Sequence, residues 1–269
     1  MCRTRIAILM VFVLTDPLIF PLGAQLTYST GAINNYGGNG DLQQRLSAAA
    51  AFQFVYNQKG FRLVTSWTDG NVWASDFIDQ GSPNDMEPSG GSDLPNVYLF
   101  AGHGSCENPP TSGSPDWIVT HNDVGQNDFV RIGTSSVWGN NGSPHQFMFL
   151  DASCPMDLPS ETTEWFSPFG GLHMATGHSG DVSHDTLDSE WRVFEFAGFT
   201  AGFVFFPQMP VGDAWMASGL IDVQPGVCAV ATAAGNDEND AINRRENEFV
   251  TSNWGNPSNN WLAWKWVCS

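Results

Sequence analysis

Two short, uninterrupted apolar runs organise the chain: Asn96-Val97-Tyr98-Leu99-Phe100-Ala101 and Gln146-Phe147-Met148-Phe149-Leu150. Strands without polar alternation belong inside a sheet covered on both faces, the usual setting of parallel strands. Leu172–Thr176 and Val227–Thr232 are further strand candidates, and Leu26–Thr30, Phe61–Trp67 and Trp261–Val267 add three more. Helical spacing marks Asp41–Asn57, where Leu42, Leu46, Ala49 and Ala50 share a face that Phe54 continues and Gly60 stops. Ser189–Phe199 and Gly212–Leu220 read as helices as well. The Gly/Asn-rich stretch ending near Gly40, residues 79–95 and residues 252–260 lack periodicity and read as loops. Alternating strands and helices predict an α/β protein with a mostly parallel sheet, and no repeat or linker divides it.

The first 24 residues change the picture of where that domain works. Arg3 and Arg5 form a positive start, Ile6–Leu14 an apolar stretch, and Leu22-Gly23-Ala24 a plausible cleavage end, the pattern of a secretory signal peptide. Residues 25–269 are then expected as a single secreted or periplasmic domain. No other stretch is apolar for long enough to span a bilayer, so no membrane partner is expected once the signal is removed. The charge balance narrows the partners further. Lys and Arg number 10 against 28 Asp and Glu, a net charge of −18. Nucleic acid and anionic membranes both need basic side chains to displace counterions, so neither is expected as a partner.

Chemistry concentrates where the two apolar runs end. The first leads into Gly102-His103-Gly104 and the second into Asp151-Ala152-Ser153-Cys154. Parallel sheets gather their active sites at the carboxyl ends of strands, which would put His103 and Cys154 on one edge. A neighbouring imidazole can take the proton of a thiol and expose the nucleophilic thiolate. The competing reading is a disulfide. With Cys2 lost with the signal, Cys106, Cys154, Cys228 and Cys268 remain, an even number in an exported chain. A Cys106–Cys154 bridge is physically reasonable and would silence the nucleophile unless reduction released it. Cys228–Cys268 with two free thiols is the preferred pairing, and sequence alone leaves both open.

An apolar run ending in His-Gly, followed about fifty residues later by one ending in a small residue and Cys, resembles caspases, legumains, gingipains and clostripain. The chain is similar to a family of exported bacterial proteins of unknown function with this caspase- and gingipain-like (clan CD) core. The matching segments are Val72–Phe77, Val97–Ser105, Asp123–Gly125, Phe149–Cys154, Phe169–His173 and Gly212–Trp215. They span about residues 40–235, which leaves 236–269 as an extension. The resemblance implies a three-layer αβα sandwich and a secreted cysteine endopeptidase acting on protein or peptide substrates. Cys154 would be the nucleophile, His103 the general base and acid, and the Gly104 and Cys154 N–H groups the oxyanion hole. His173 would lie on the strand after the nucleophile, with a structural or pocket-lining role. Ser153 stands where caspases carry Ala, and Pro155 follows the Cys. These departures support an alternative, a non-catalytic exported binding domain on the same fold.

Cleavage after Arg or Lys needs a carboxylate in the pocket, and Asp76, Asp151 and Asp181 are candidates. His173, His178, Asp181, His184 and Asp185 contain metal-ligand chemistry, but their spacing matches no zinc motif, so neither a metal nor a cofactor is expected. Thr176–Gly180 only faintly resembles a serine-hydrolase turn. Asn236–Asp240 lacks the glycine and glutamate of a calcium loop and reads as a solvated acidic turn. Trp254, Trp261, Trp264 and Trp266 read as packing residues before carbohydrate-stacking ones.

Overall fold

The structure, a computed structural model, describes residues 25–37, 41–78, 91–105, 117–121, 127–133, 136–140, 142–156, 164–182, 187–221 and 225–269. The signal-like segment therefore lies outside the described residues. In chain order the elements are β1 (Thr27–Ala32), α1 (Arg45–Gln58), β2 (Arg62–Thr68), β3 (Val97–Ala101), β4 (Gly104–Ser105), β5 (Trp117–His121), β6 (Asn127–Arg131), β7 (Phe147–Asp151), β8 (Met174–Ser179), α2 (Leu187–Ala201), α3 (Val211–Ser218), β9 (Cys228–Gly235), α4 (Glu238–Asn247) and β10 (Trp261–Cys268).

Seven strands form one mixed sheet in the order β2-β1-β3-β7-β8-β9-β10. The first five run parallel, and β9 alone is reversed, pairing antiparallel with β8 and β10. Every residue of β3 and β7 is buried, as their unbroken apolar runs require. Side chains alternate between two apolar clusters. Val97, Leu99, Phe147 and Phe149 face α1, α2 and α3, while Tyr98, Phe100, Met148 and Leu150 face the other way.

The two faces are covered differently. Among the described residues, all four helices lie on one face. On the other, a three-stranded sheet, β4-β5-β6, and the loops carrying Val72, Phe77, Trp138, Trp165 and Phe169 close the core. That is a mixed α/β architecture, and the second helical layer of the expected αβα sandwich is not found among the described residues. The expected extension instead completes the sheet. Its β10 pairs with β9 along its whole length, and a Cys228–Cys268 disulfide joins the paired ends.

Two helices depart from the apolar pattern for identifiable reasons. α1 buries Arg45, Ala48, Ala49, Phe52, Val55 and Tyr56. Phe54, expected on that face, is 44% exposed. The helix starts at Arg45 because Asn34 Oδ1 accepts the N–H groups of Arg45 (2.9 Å) and Leu46 (3.2 Å), capping donors a helix start leaves unpaired. The supposed acidic turn at 236–240 is the start of α4, where Asp237 Oδ1 accepts the Asp240 N–H at 2.9 Å.

Candidate active site

β3 and β7 are neighbours, and Ala101 pairs in register with Asp151. His103 and Cys154 therefore leave adjacent strands at the same edge. The loops that carry them touch through backbone. Gly102 N–H donates to the Asp151 carbonyl (3.2 Å), and a Cβ on Gly104 would stand 1.9 Å from the Ser153 carbonyl oxygen. The glycine after His103 is thus needed for close approach of two loops. Gly104→Ala forces backbone against backbone and is expected to cost about 1–3 kcal/mol or more. Urea unfolding measures it, and an unchanged midpoint would show that the contact is not tight.

Gly102 has its own neighbour. A Cβ there would meet the Tyr36 hydroxyl at 2.5 Å and the Phe100 ring at 2.6 Å. Through that gap Tyr36 Oη accepts the His103 N–H (2.9 Å) and donates to the Val119 carbonyl (3.0 Å). The His103 carbonyl accepts the Val119 N–H (2.9 Å), so the backbone is held on both sides. The Tyr36 ring packs with two imidazoles, with centroids 4.7 Å from His103 and 5.5 Å from His121. Burial pushes the Tyr36 phenol well above its ordinary pKa, so the hydroxyl keeps its proton.

Cys154 is buried and has a left-handed backbone (φ 56°), which non-glycine residues seldom adopt, and Pro155 follows it. Its loop runs beside the end of β8. Cys154 N–H donates to Gly180 O (3.1 Å), Met156 N–H to His178 O (3.2 Å), and Val182 N–H to Ser153 Oγ (3.1 Å). Two expectations change here. The Cys154 N–H, assigned to an oxyanion hole, is occupied by the Gly180 carbonyl. Cys154 is also disulfide-bonded and not a free thiol. Its partner lies outside the described residues, as does Cys106. Asp181, which is exposed, places Oδ1 4.0 Å from Cys154 Sγ, and a disulfide sulfur has no proton to donate to it.

The other expected pocket residues are engaged elsewhere. Asp76 is buried, and its Oδ2 accepts the Trp73 N–H (2.8 Å), closing the 3-10 turn Ala74–Asp76. Asp151 points to the helical face. Arg45 Nη1 binds its Oδ2 at 2.6 Å, and Arg192 Nη2 and Nε bind its Oδ1 at 2.7 and 3.1 Å. All three side chains are fully buried. Burial alone would raise the Asp151 pKa, but Arg192 and Arg45 outweigh it and hold the carboxyl well below its usual range. Beside them His178 donates from Nε2 to Gly219 O (2.8 Å) and packs on Trp215. Burial, reinforced by Arg192, pushes His178 down to about 4.

His173 is at the opposite end of β8, hydrogen-bonded to Glu248 through Nδ1 and to Asn256 through Nε2. Near it His145 is buried and pushed down to about 3. Five residue steps along the strand separate His173 from His178, roughly 16 Å at strand rise, so they cannot share one metal ion. His184 and Asp185 lie outside the described residues. Among the described residues no group of three metal-ligating side chains forms.

Sequence reasoning missed Tyr36, His121, Arg45 and Arg192. Glycine on both sides of His103 was the available signal for Tyr36, since it marks a backbone that something approaches closely. Arg45 stood within an apolar periodicity, which signals a buried ion pair.

The fold and this edge define a mixed α/β protein whose mostly parallel sheet presents a histidine and a cystine cysteine from adjacent strands. The chain belongs to the family described as domain of unknown function DUF6345, whose profile matches residues 30–267. No curated protein matches it. Among the described residues no helix is long and apolar enough to cross a membrane.

Proposed function

We propose that this chain is an exported cysteine-type peptidase with a caspase-like (clan CD) core, held latent by oxidation of its nucleophile. The observation that carries the reading is the register of β3 and β7, which delivers His103 and Cys154 to one edge on loops in backbone contact. The strand order, with the His and Cys loops following neighbouring parallel strands, supports the same resemblance.

Activation begins with a dithiol reductant. Its thiolate opens the cystine through a mixed disulfide, its second thiol displaces the protein sulfur, and two protein thiols and one reductant disulfide result. His103 then takes the Cys154 proton, and the thiolate attacks the scissile carbonyl. The C–N bond breaks as the imidazolium protonates the departing amine, and water hydrolyses the thioester. The oxyanion needs donors, so the Cys154 N–H must leave the Gly180 carbonyl. Opening the disulfide removes one restraint on that loop, and the left-handed Cys154 backbone favours its movement.

The test compares oxidised and reduced protein on a peptide library, with mass spectrometry reporting which disulfides have opened. Cleavage is expected only after reduction, and Cys154→Ala or His103→Ala should lower it by at least about 100-fold. Occupation of the Cys154 N–H favours the second reading, a non-catalytic interaction domain. That reading stands if the reduced protein cuts nothing and Cys154 alkylates like an ordinary thiol.

A further inference from the structure

We propose that Tyr36 is a positioning residue for His103, holding the imidazole against its ring and stabilising the imidazolium that proton transfer from Cys154 creates. The inference rests on the His103–Cys154 reading and deepens it.

The loop after β1 is built to place this tyrosine. Asp69 Oδ1 accepts the N–H groups of Asn34 (2.8 Å) and Asn35 (2.9 Å), and Asp41 Oδ1 accepts those of Tyr36 and Gly37 (both 2.9 Å). Asn34 Oδ1 caps α1, and Leu42 N–H returns to Asn34 O (2.7 Å). The His121 ring stacks with that of Tyr36, and its Nε2 donates to Asn35 O (2.9 Å). Each polar group of Asn34 to Gly37 used here fixes the backbone that presents the ring. The two ends of Tyr36 then act on one residue. Its hydroxyl accepts the His103 backbone N–H, and its ring lies against the imidazole, centroids 4.7 Å apart at a tilt of 53°.

A cation over an aromatic face is attracted by the ring quadrupole, most strongly where water is excluded. Tyr36 is buried and His103 half-buried. The charged form of His103 gains from the ring more than the neutral form does, so the ring promotes deprotonation of the thiol. Gly102 is the necessary complement, since any side chain there would occupy the place of the hydroxyl.

The test uses the reduced full chain and the alkylation rate of Cys154 by iodoacetamide at pH 7, followed by peptide mapping. Wild type is expected to react faster than His103→Ala. Tyr36→Leu should fall about tenfold toward the His103→Ala rate, while Tyr36→Phe, which keeps the ring, should retain most of the wild-type rate. A purely structural role would lower the melting temperature without this split between Phe and Leu. If wild type exceeds His103→Ala but Tyr36→Leu matches wild type, the inference is overturned and the dyad survives. If wild type and His103→Ala react alike, the dyad reading fails and takes this inference with it. Should Tyr36→Leu not fold, NMR of the Tyr36→Phe protein decides. An upfield-shifted His103 ring proton signal is expected as in wild type, and its absence from both would overturn the stacking.

Discussion

Asp151→Asn is expected to lower the unfolding free energy by about 3–5 kcal/mol, more than any other single replacement near the candidate site. Both carboxylate oxygens are engaged by guanidinium groups, and Arg45, Asp151 and Arg192 have no exposed side-chain surface. An amide keeps the shape but removes the charge, leaving two buried cations facing each other. Arg45 is already poorly satisfied, since its Nε and Nη2 find no acceptor among the described residues. For a chain of this size the loss corresponds to a melting temperature roughly 6–20 °C lower.

The same physics predicts a partial rescue. A buried ion cluster replaced as a unit by apolar residues of similar size is often neutral or better, because its desolvation cost disappears with it. Arg45→Met, Asp151→Leu and Arg192→Met together should therefore cost less than Asp151→Asn alone, a non-additivity only interacting residues show. Urea unfolding with the disulfides intact measures both. A loss under about 1 kcal/mol for Asp151→Asn would mean that the cluster is hydrated and not a buried triad. The result matters beyond stability. The Asp151 carbonyl accepts from Gly102 N–H and from Arg45 Nη1 (3.3 Å), so the cluster also sets the spacing of the loops that carry His103 and Cys154.

What sequence could reveal follows the same division between local and distant causes. β3 and β7 were legible because a strand buried on both faces writes itself as consecutive apolar residues. The glycines beside His103 were legible as a signal, but not their reason. Tyr36 and Ser153 occupy the space that a side chain at 102 or 104 would need, and nothing local ties residue 36 or 153 to residue 102 or 104. α1 was placed correctly and faced wrongly, because its core stripe begins with an arginine whose partner is at position 151. α4 was missed because ENDAINRREN carries almost no apolar stripe. Asp237 caps it and Arg244 reaches Asp240 Oδ1 (3.1 Å) one turn back, while the bond from Arg244 to Gly255 O (2.8 Å) exists only once the chain leading to β10 has folded back. The reversal of β9 was equally hidden, since an apolar run looks the same in either direction. Whether Cys154 is a thiol or half of a cystine stayed open in the sequence, because pairing is a property of space and not of order along the chain.

Stability is expected to fall steeply as the pH drops from 6.5 to about 4, before most carboxylates protonate. His178 and His145 are fully buried, and burial holds them down to about 4 and about 3. In the unfolded chain both return to about 6.5. Between those values the unfolded chain binds protons that the folded one refuses, so acid favours unfolding. The stability they contribute is complete above pH 6.5 and is lost as the pH falls through the folded values. Each histidine then contributes a slope of about 1.4 kcal/mol per pH unit, and the pair about 2.7. The opposing effect comes later. A net charge of −18 makes self-repulsion substantial, but it is relieved mainly below about pH 4.5, where exposed carboxylates gain protons. Asp151 adds little in this window, because its carboxyl is ionised in the folded protein and, down to about pH 4.5, mostly ionised in the unfolded chain as well. The window from pH 6.5 to 4.5 therefore isolates the histidines. His178→Gln keeps a donor for Gly219 O while removing the titration, and it should remove about half the slope. Urea midpoints at pH 7.0, 6.0, 5.0 and 4.5 would check this. A flat profile would mean that water reaches both imidazoles, and an unchanged slope in His178→Gln would assign the effect to other groups.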